Sequence, residues 1–240
     1  MKFRPVYYMI SGWPSLEKTR EMVRRYVEHG VTALQFDMPG ADPSRESAFI
    51  QQGMRHARAL YGEDYDVFMD ALRGIRCEFP ELEIHLVVYP DVVERIGLER
   101  FGDFCQEIGI YSVLSGDKDK MKYLSNRGIA TAAFIGYDTS DAAIELARAS
   151  DKHIVFVSNA NGRTQPREGL VTWAERIGYI RAHGVTAPIF GVTGIKTPEE
   201  LQQVRDAGAD GAYIGSIMMQ LWDNEPELWK LLDAFQAVAR

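Results

Sequence analysis

The sequence predicts a single (β/α)8 barrel with an eight-stranded parallel sheet, covering residues 1–240 as one domain. Three observations predict it. Eight short apolar runs alternate with amphipathic helical stretches, and no linker, repeat or low-complexity tract interrupts them. A length of 240 residues suits one such domain, with a core large enough to need neither metal nor disulfide. The last two units, finally, end their strands in the glycine turns Gly191-Val192-Thr193-Gly194 and Gly215-Ser216. Side by side in a parallel barrel, such turns lie at the carboxyl ends of strands seven and eight, where backbone N–H groups and a short helix start hold a phosphate. A side chain in place of Gly194 or Gly215 would keep phosphate oxygens from the amides.

The elements follow in order. The first strand is expected at 6–10, with Ser11-Gly12-Trp13-Pro14 as its turn. Ser15 then caps a helix whose buried face is Leu16, Met22, Val23, Tyr26 and Val27, and Gly30 ends it. The second strand is read at 31–38, followed by a loop through Pro43 and helices at 47–61 and 65–77. The third strand covers 82–89, and a helix after it ends near Glu107. Strand four (110–114) leads to a helix at 118–126, and strand five (129–135) to one at 140–149. Strand six (153–157) opens a long polar loop at 158–168, suited to a mobile lid, before a helix at 170–182. Strand seven is expected at 188–191. Thr197 is its helix N-cap, Pro198 the first helical residue, and Glu199 and Glu200 are acids in the first turn. Strand eight spans 211–214, and 226–238 is the closing helix.

Composition excludes several classes. The net charge is −7 without a basic block, which argues against a nucleic-acid surface. No stretch approaches the length of a membrane span, and the first residues lack the apolar run of a leader. Cys77 and Cys105 have no metal spacing and read as reduced thiols of a cytoplasmic protein. No His/Cys/acid cluster has ligand spacing, so neither a metal nor a cofactor is expected.

Chemistry is sought at the carboxyl ends of strands. Along the second strand Gln35 and Asp37 alternate with Leu34, Phe36 and Met38. Period two sends the polar pair into the barrel mouth and the apolar three toward the helices. Asp37 is therefore a candidate general acid or base, with turn capping as the alternative. Glu46 either reaches over the mouth or serves as a first-turn helix acid. Tyr89, at the end of strand three, either meets substrate or packs. His85 sits deeper, where a lone histidine is a bonded core group. Phe134 and Phe156 wall an apolar pocket or fill the core. In the sixth loop, Gly162 and Arg163 offer an amide and a guanidinium to the phosphate.

These residues resemble the tryptophan synthase α-subunit family nearly end to end. The resemblance is carried by Ser11-Gly12-Trp13-Pro14-Ser15, by Leu34-Gln35-Phe36-Asp37-Met38-Pro39 with Asp42-Pro43 and Ile50-Gln51, by Val157-Ser158, and by Gly194-Ile195 and Gly215-Ser216. The glycine turns are shared by many phosphate-binding barrels; the loop-two pattern is far more specific. The resemblance implies retro-aldol cleavage of indole-3-glycerol phosphate by two carboxylates. It departs at that machinery: the catalytic glutamate falls on Gln35, whose amide takes no proton at neutral pH. The loop-two aspartate falls on Glu46, its glycine-proline on Ser47-Ala48, and a strand glycine on Asp37. Expected functions are thus a divergent lyase on a phosphorylated small molecule with Asp37 and Glu46 as its acid/base pair, a silent or regulatory paralogue binding such a ligand, or another phosphate-barrel reaction such as prenyl transfer or sugar-phosphate isomerisation. The family's second and sixth loops contact a β-type subunit. Asp42-Pro43 is kept and loop six is altered, so the resemblance leaves that partner open.

Overall fold

The computed structural model describes residues 3–149, 154–159 and 164–240. The chain runs β1 (Arg4–Ile10), α1 (Leu16–Glu28), β2 (Ala33–Asp37), α2 (Ala48–Tyr61), α3 (Tyr65–Glu78), β3 (Glu83–Val87), α4 (Pro90–Ile96), α5 (Leu98–Glu107), β4 (Ser112–Leu114) and α6 (Lys118–Asn126). It continues through β5 (Ala132–Ile135), α7 (Asp141–Ala149), β6 (Ile154–Ser158), α8 (Trp173–Ala182), β7 (Ile189–Val192), α9 (Pro198–Asp206), β8 (Gly211–Ile214), a 3-10 turn at Met219–Leu221, and α10 (Glu225–Val238). The eight strands form one sheet in the order β4-β3-β2-β1-β8-β7-β6-β5. Strand–helix alternation with this order is the (β/α)8 fold.

Two departures from the sequence reading have local causes. The expected single helix before Glu107 is split into α4 and α5 at Gly97, whose φ of 90° no helix accommodates. The helix after loop six starts at Trp173 rather than three residues earlier. A capping box sets that start: the Thr172 side chain accepts the Glu175 N–H, and the Glu175 carboxylate accepts the Thr172 N–H at 2.8 Å.

Residues group into two compact units, one of Tyr8–Ala130 and one of the chain up to Tyr7 with everything from Thr131 onward. In the first, β2 pairs with β3 and β3 with β4, all parallel. Leu34, Phe36 and Met38 are fully buried, as are Met22, Val23 and Tyr26 of α1 and Phe68 and Met69 of α3. In the second, β5, β6, β7, β8 and the start of β1 are consecutive parallel neighbours. Thr197 and Pro198 open α9 with a second capping box, and Leu201 and Val204 bury its inner stripe.

Gly211 shows how closely that second unit is packed. A Cβ built there would land on the Arg4 carbonyl oxygen and on the Phe190 ring. Because backbone on a paired strand cannot yield as a flexible side chain can, Gly211→Ala should lower stability by about 1–3 kcal/mol, read from the urea midpoint.

Candidate active site

In the Tyr8–Ala130 unit the end of β1, the end of β2 and the loops after β2 and β3 supply two tyrosine–carboxylate pairs. Asp37 is the last residue of β2 and is 2% exposed. Its carbonyl accepts the Ser11 N–H at 3.0 Å, joining the ends of β1 and β2. Its Oδ2 accepts the Tyr8 hydroxyl from β1 at 2.9 Å, while Oδ1 is buried with no hydrogen-bond partner among the described residues. The second pair is Tyr89, which precedes α4, donating to Glu46 Oε1 at 3.0 Å. Gly40 makes the second pair possible, since a Cβ there would stand 2.6 Å from the Tyr89 ring. Glu46 is held on its turn by its own N–H on the Pro43 carbonyl at 2.9 Å and by Gln51 Nε2 on its carbonyl at 2.9 Å.

Burial pushes the Asp37 carboxyl well above the usual carboxylate range. The Tyr8 hydrogen bond pulls the other way, the Glu46 charge pushes further up, and Tyr89 pulls down more weakly. Burial wins, so this carboxyl holds its proton far above the pH at which a free aspartate releases one. Burial also raises the Tyr8 phenol, with Asp37 adding to it, so Tyr8 stays a donor. The arrangement sets a carboxyl whose proton is held more tightly than usual beside a second carboxyl group bonded to a phenol, the kind of pairing that separates acid and base roles. Tyr8→Phe removes the bond that favours the ionised form. It should move the Asp37 titration further upward, followed through its side-chain carbon resonance by NMR.

Gln35 lies two residues before Asp37 on the same side of β2, 7% exposed and in register with His85 of β3. His85 is fully buried, with Nδ1 on Ser112 Oγ and Nε2 on Glu83 Oε1, both at 2.9 Å. It is a bonded core residue. Asp42 is exposed and its Oδ1 accepts the Ser44 N–H at 3.0 Å, the chemistry of a turn.

The glycine turns belong to the other unit. Thr193 and Gly194 follow β7 in left-handed conformation, with φ of 71° and 77°. Thr193 Oγ1 meets Ser158 Oγ at 3.1 Å, across the β6/β7 ladder. Gly215 follows β8, and a Cβ there would have nothing within 4 Å among the described residues. Ser216 starts the turn after it: its carbonyl accepts the Gln220 N–H at 3.0 Å and its Oγ accepts Gln220 Nε2 at 3.3 Å. Phe134 and Phe156 are register partners with different surroundings. Phe156 is buried, 4.6 Å from the Tyr213 ring, whereas Phe134 is 51% exposed. Gly162 and Arg163 lie outside the described residues. Among the described residues no group of three His, Cys, Asp or Glu side chains has the arrangement of a metal site.

Two residues escape sequence reasoning. Tyr8 reads only as part of an apolar strand, although period two sends Tyr7 and Tyr8 to opposite faces and so turns one phenol inward. Arg176 is fully buried on α8. Its signal is positional: with Trp173, Ile177 and Ile180 it occupies helical spacings of three, four and seven, a basic group within an apolar stripe.

The chain is similar to known proteins over most of its length. The family model for the tryptophan synthase alpha chain matches residues 3–238. The tryptophan synthase alpha chain of Corynebacterium diphtheriae is 29% identical over 227 residues, covering 90% of this chain and 80% of that one. That of Methanothermobacter thermautotrophicus is 25% identical, covering 90% and 82%. Among solved structures, a protein of Aquifex aeolicus VF5 superposes with a TM-score of 0.85 at 20% identity, covering 100% of this chain and 94% of that one. Tryptophan synthase subunit alpha of Legionella pneumophila gives 0.82 at 19%, covering 99% and 92%.

Proposed function

This chain belongs to the tryptophan synthase alpha chain family, and from that premise we propose that it is a carbon–carbon lyase acting on indole-3-glycerol phosphate or a related phosphorylated small molecule, on one (β/α)8 domain. The observation that carries the reading is the pairing of Tyr8 with Asp37 and of Tyr89 with Glu46. Gln35 stands where the family places its catalytic glutamate, and an amide transfers no proton. A buried, proton-holding carboxyl two residues along the same strand replaces what is lost.

In the proposed step Asp37 gives its proton to the ring carbon of the scissile bond, and Glu46 accepts the ring N–H. The carbon–carbon bond then breaks with its electron pair staying on the ring, while the hydroxyl of the three-carbon fragment becomes a carbonyl. That hydroxyl proton returns to Asp37, which ends the cycle as it began. Gly194, Gly215 and Ser216 are assigned to the phosphate through their backbone amides, and Phe134 with Phe156 to the apolar part of the substrate. Family membership and the kept Asp42-Pro43 support a β-type subunit as partner. The reduced-thiol composition supports the cytoplasm, and no described helix is long and apolar enough to cross a membrane.

Release of indole from indole-3-glycerol phosphate by the purified chain, alone and with a β-type subunit, tests the reading. The Gln35 replacement favours one other: a silent paralogue that keeps the phosphate ligand. Undiminished binding of the ester with no indole formed in either mixture would establish that second reading in place of the first.

A further inference from the structure

Arg176 is a buried cation that nothing in the proposed chemistry uses. It sits at 0% exposure on α8, within an otherwise apolar stripe. Nε donates to Thr139 Oγ1 at 3.1 Å, and Nη2 donates to the Gly136 carbonyl at 3.3 Å and to the Ser158 carbonyl. Those carbonyls mark the carboxyl ends of β5 and β6. The Tyr137 and Trp173 rings lie 4.9 and 5.4 Å from the guanidinium carbon. Thr139 reaches its position in left-handed conformation, with φ of 47°.

One part of the guanidinium is left over. Nη1 is buried and has no hydrogen-bond partner among the described residues. No carboxylate among the described residues forms an ion pair with Arg176; Asp138 acts on it only through space. Burial pulls the guanidinium down to about 10, which still leaves it charged at neutral pH. A buried cation that no described carboxylate pairs with directly is an unfavourable arrangement for a fold to hold, and an anion at Nη1 resolves it. Ser158 ties this place to the turn after β7. The residue whose carbonyl holds Nη2 also meets Thr193 through its hydroxyl, immediately before Gly194.

We propose that Arg176 is the charged element of an anion site at the ends of β5 and β6, taking the phosphate or carboxylate of a small-molecule ligand through Nη1. The site does not depend on cleavage; a silent paralogue would have it as well. It adds a formal positive charge where the glycine turns supply only backbone dipoles.

Titration calorimetry of the whole chain with inorganic phosphate, glycerol 3-phosphate and glycerate, against sodium chloride as control, tests it in the wild type, Arg176→Lys and Arg176→Met. The expected result is binding that falls about 10- to 100-fold in Arg176→Met, the range for one charge-assisted hydrogen-bonded contact, and less in Arg176→Lys. Tighter binding of glycerol 3-phosphate than glycerate assigns the site to a phosphate; the reverse assigns it to a carboxylate. Equal affinity in a folded Arg176→Met, or no binding of any of the three by the wild type, overturns the site. Should Arg176→Met fail to fold, the Nε–H resonance of Arg176 in the wild type decides, identified by its loss in Arg176→Lys. A shift on adding the anion supports the proposal, and an unmoved resonance refutes it. Indole release is a separate measurement, so failure of the lyase reading and failure of this site are told apart.

Discussion

Asp37→Asn should lower turnover about 10²–10⁴-fold, the usual contribution of a positioned acid or base, while binding of the phosphate ester survives. Asparagine preserves the shape and still accepts the Tyr8 hydroxyl through its amide oxygen, but it carries no transferable proton. The same variant should be more stable than the wild type at neutral pH, and the sign follows from linkage. The folded-state value of Asp37 is raised above the unfolded value of about 3.9. Between the two, the folded chain holds a proton that the unfolded chain has released, so stability falls as pH rises through that window. Above the folded value the loss is complete and stays constant. Asparagine has no such window. Urea midpoints of the two proteins should therefore diverge from about pH 4 upward, with the variant the more stable. Parallel midpoints across that range, or normal turnover in the variant, would remove Asp37 from the chemistry. A residue whose replacement stabilises the fold and stops the reaction is held in place by function.

Gly215→Val should weaken binding of glycerol 3-phosphate about 10- to 100-fold, the equivalent of one or two charge-assisted hydrogen bonds to backbone amides, without unfolding the chain. Gly215 is the better of the two turns for this test. Its Cβ position has nothing within 4 Å among the described residues, so added methyls occupy the space assigned to the anion. At Gly194 a φ of 77° would strain any side chain, and lost binding there would be confounded with lost structure. Calorimetry paired with a thermal melt separates the cases. Unchanged affinity in a stable Gly215→Val protein would show that the anion lies elsewhere. Lost affinity in both Gly215→Val and Arg176→Met would mean that turn and guanidinium serve binding of the same ligand.

The alternation of apolar runs with amphipathic stretches was enough to predict the (β/α)8 fold, because periods of two and 3.6 are written residue by residue. Caps were equally legible: Ser15 and Thr197 act where their residue types said they would. The alternation that sets Gln35 and Asp37 on one side of β2 is likewise written in the sequence, and so is the amide at Gln35, which carries no transferable proton. Partners were not legible. Tyr8 and Asp37 are 29 residues apart, Tyr89 and Glu46 are 43, and Arg176 and Thr139 are 37. Periodicity assigns a side chain to a face but does not say what stands opposite it. That the Asp37 carboxyl is pushed upward, and that Arg176 is a buried cation with no ion-pair partner among the described residues, are consequences of burial. Burial is a property of the packed chain, since only packing removes water and decides which polar groups meet in its place.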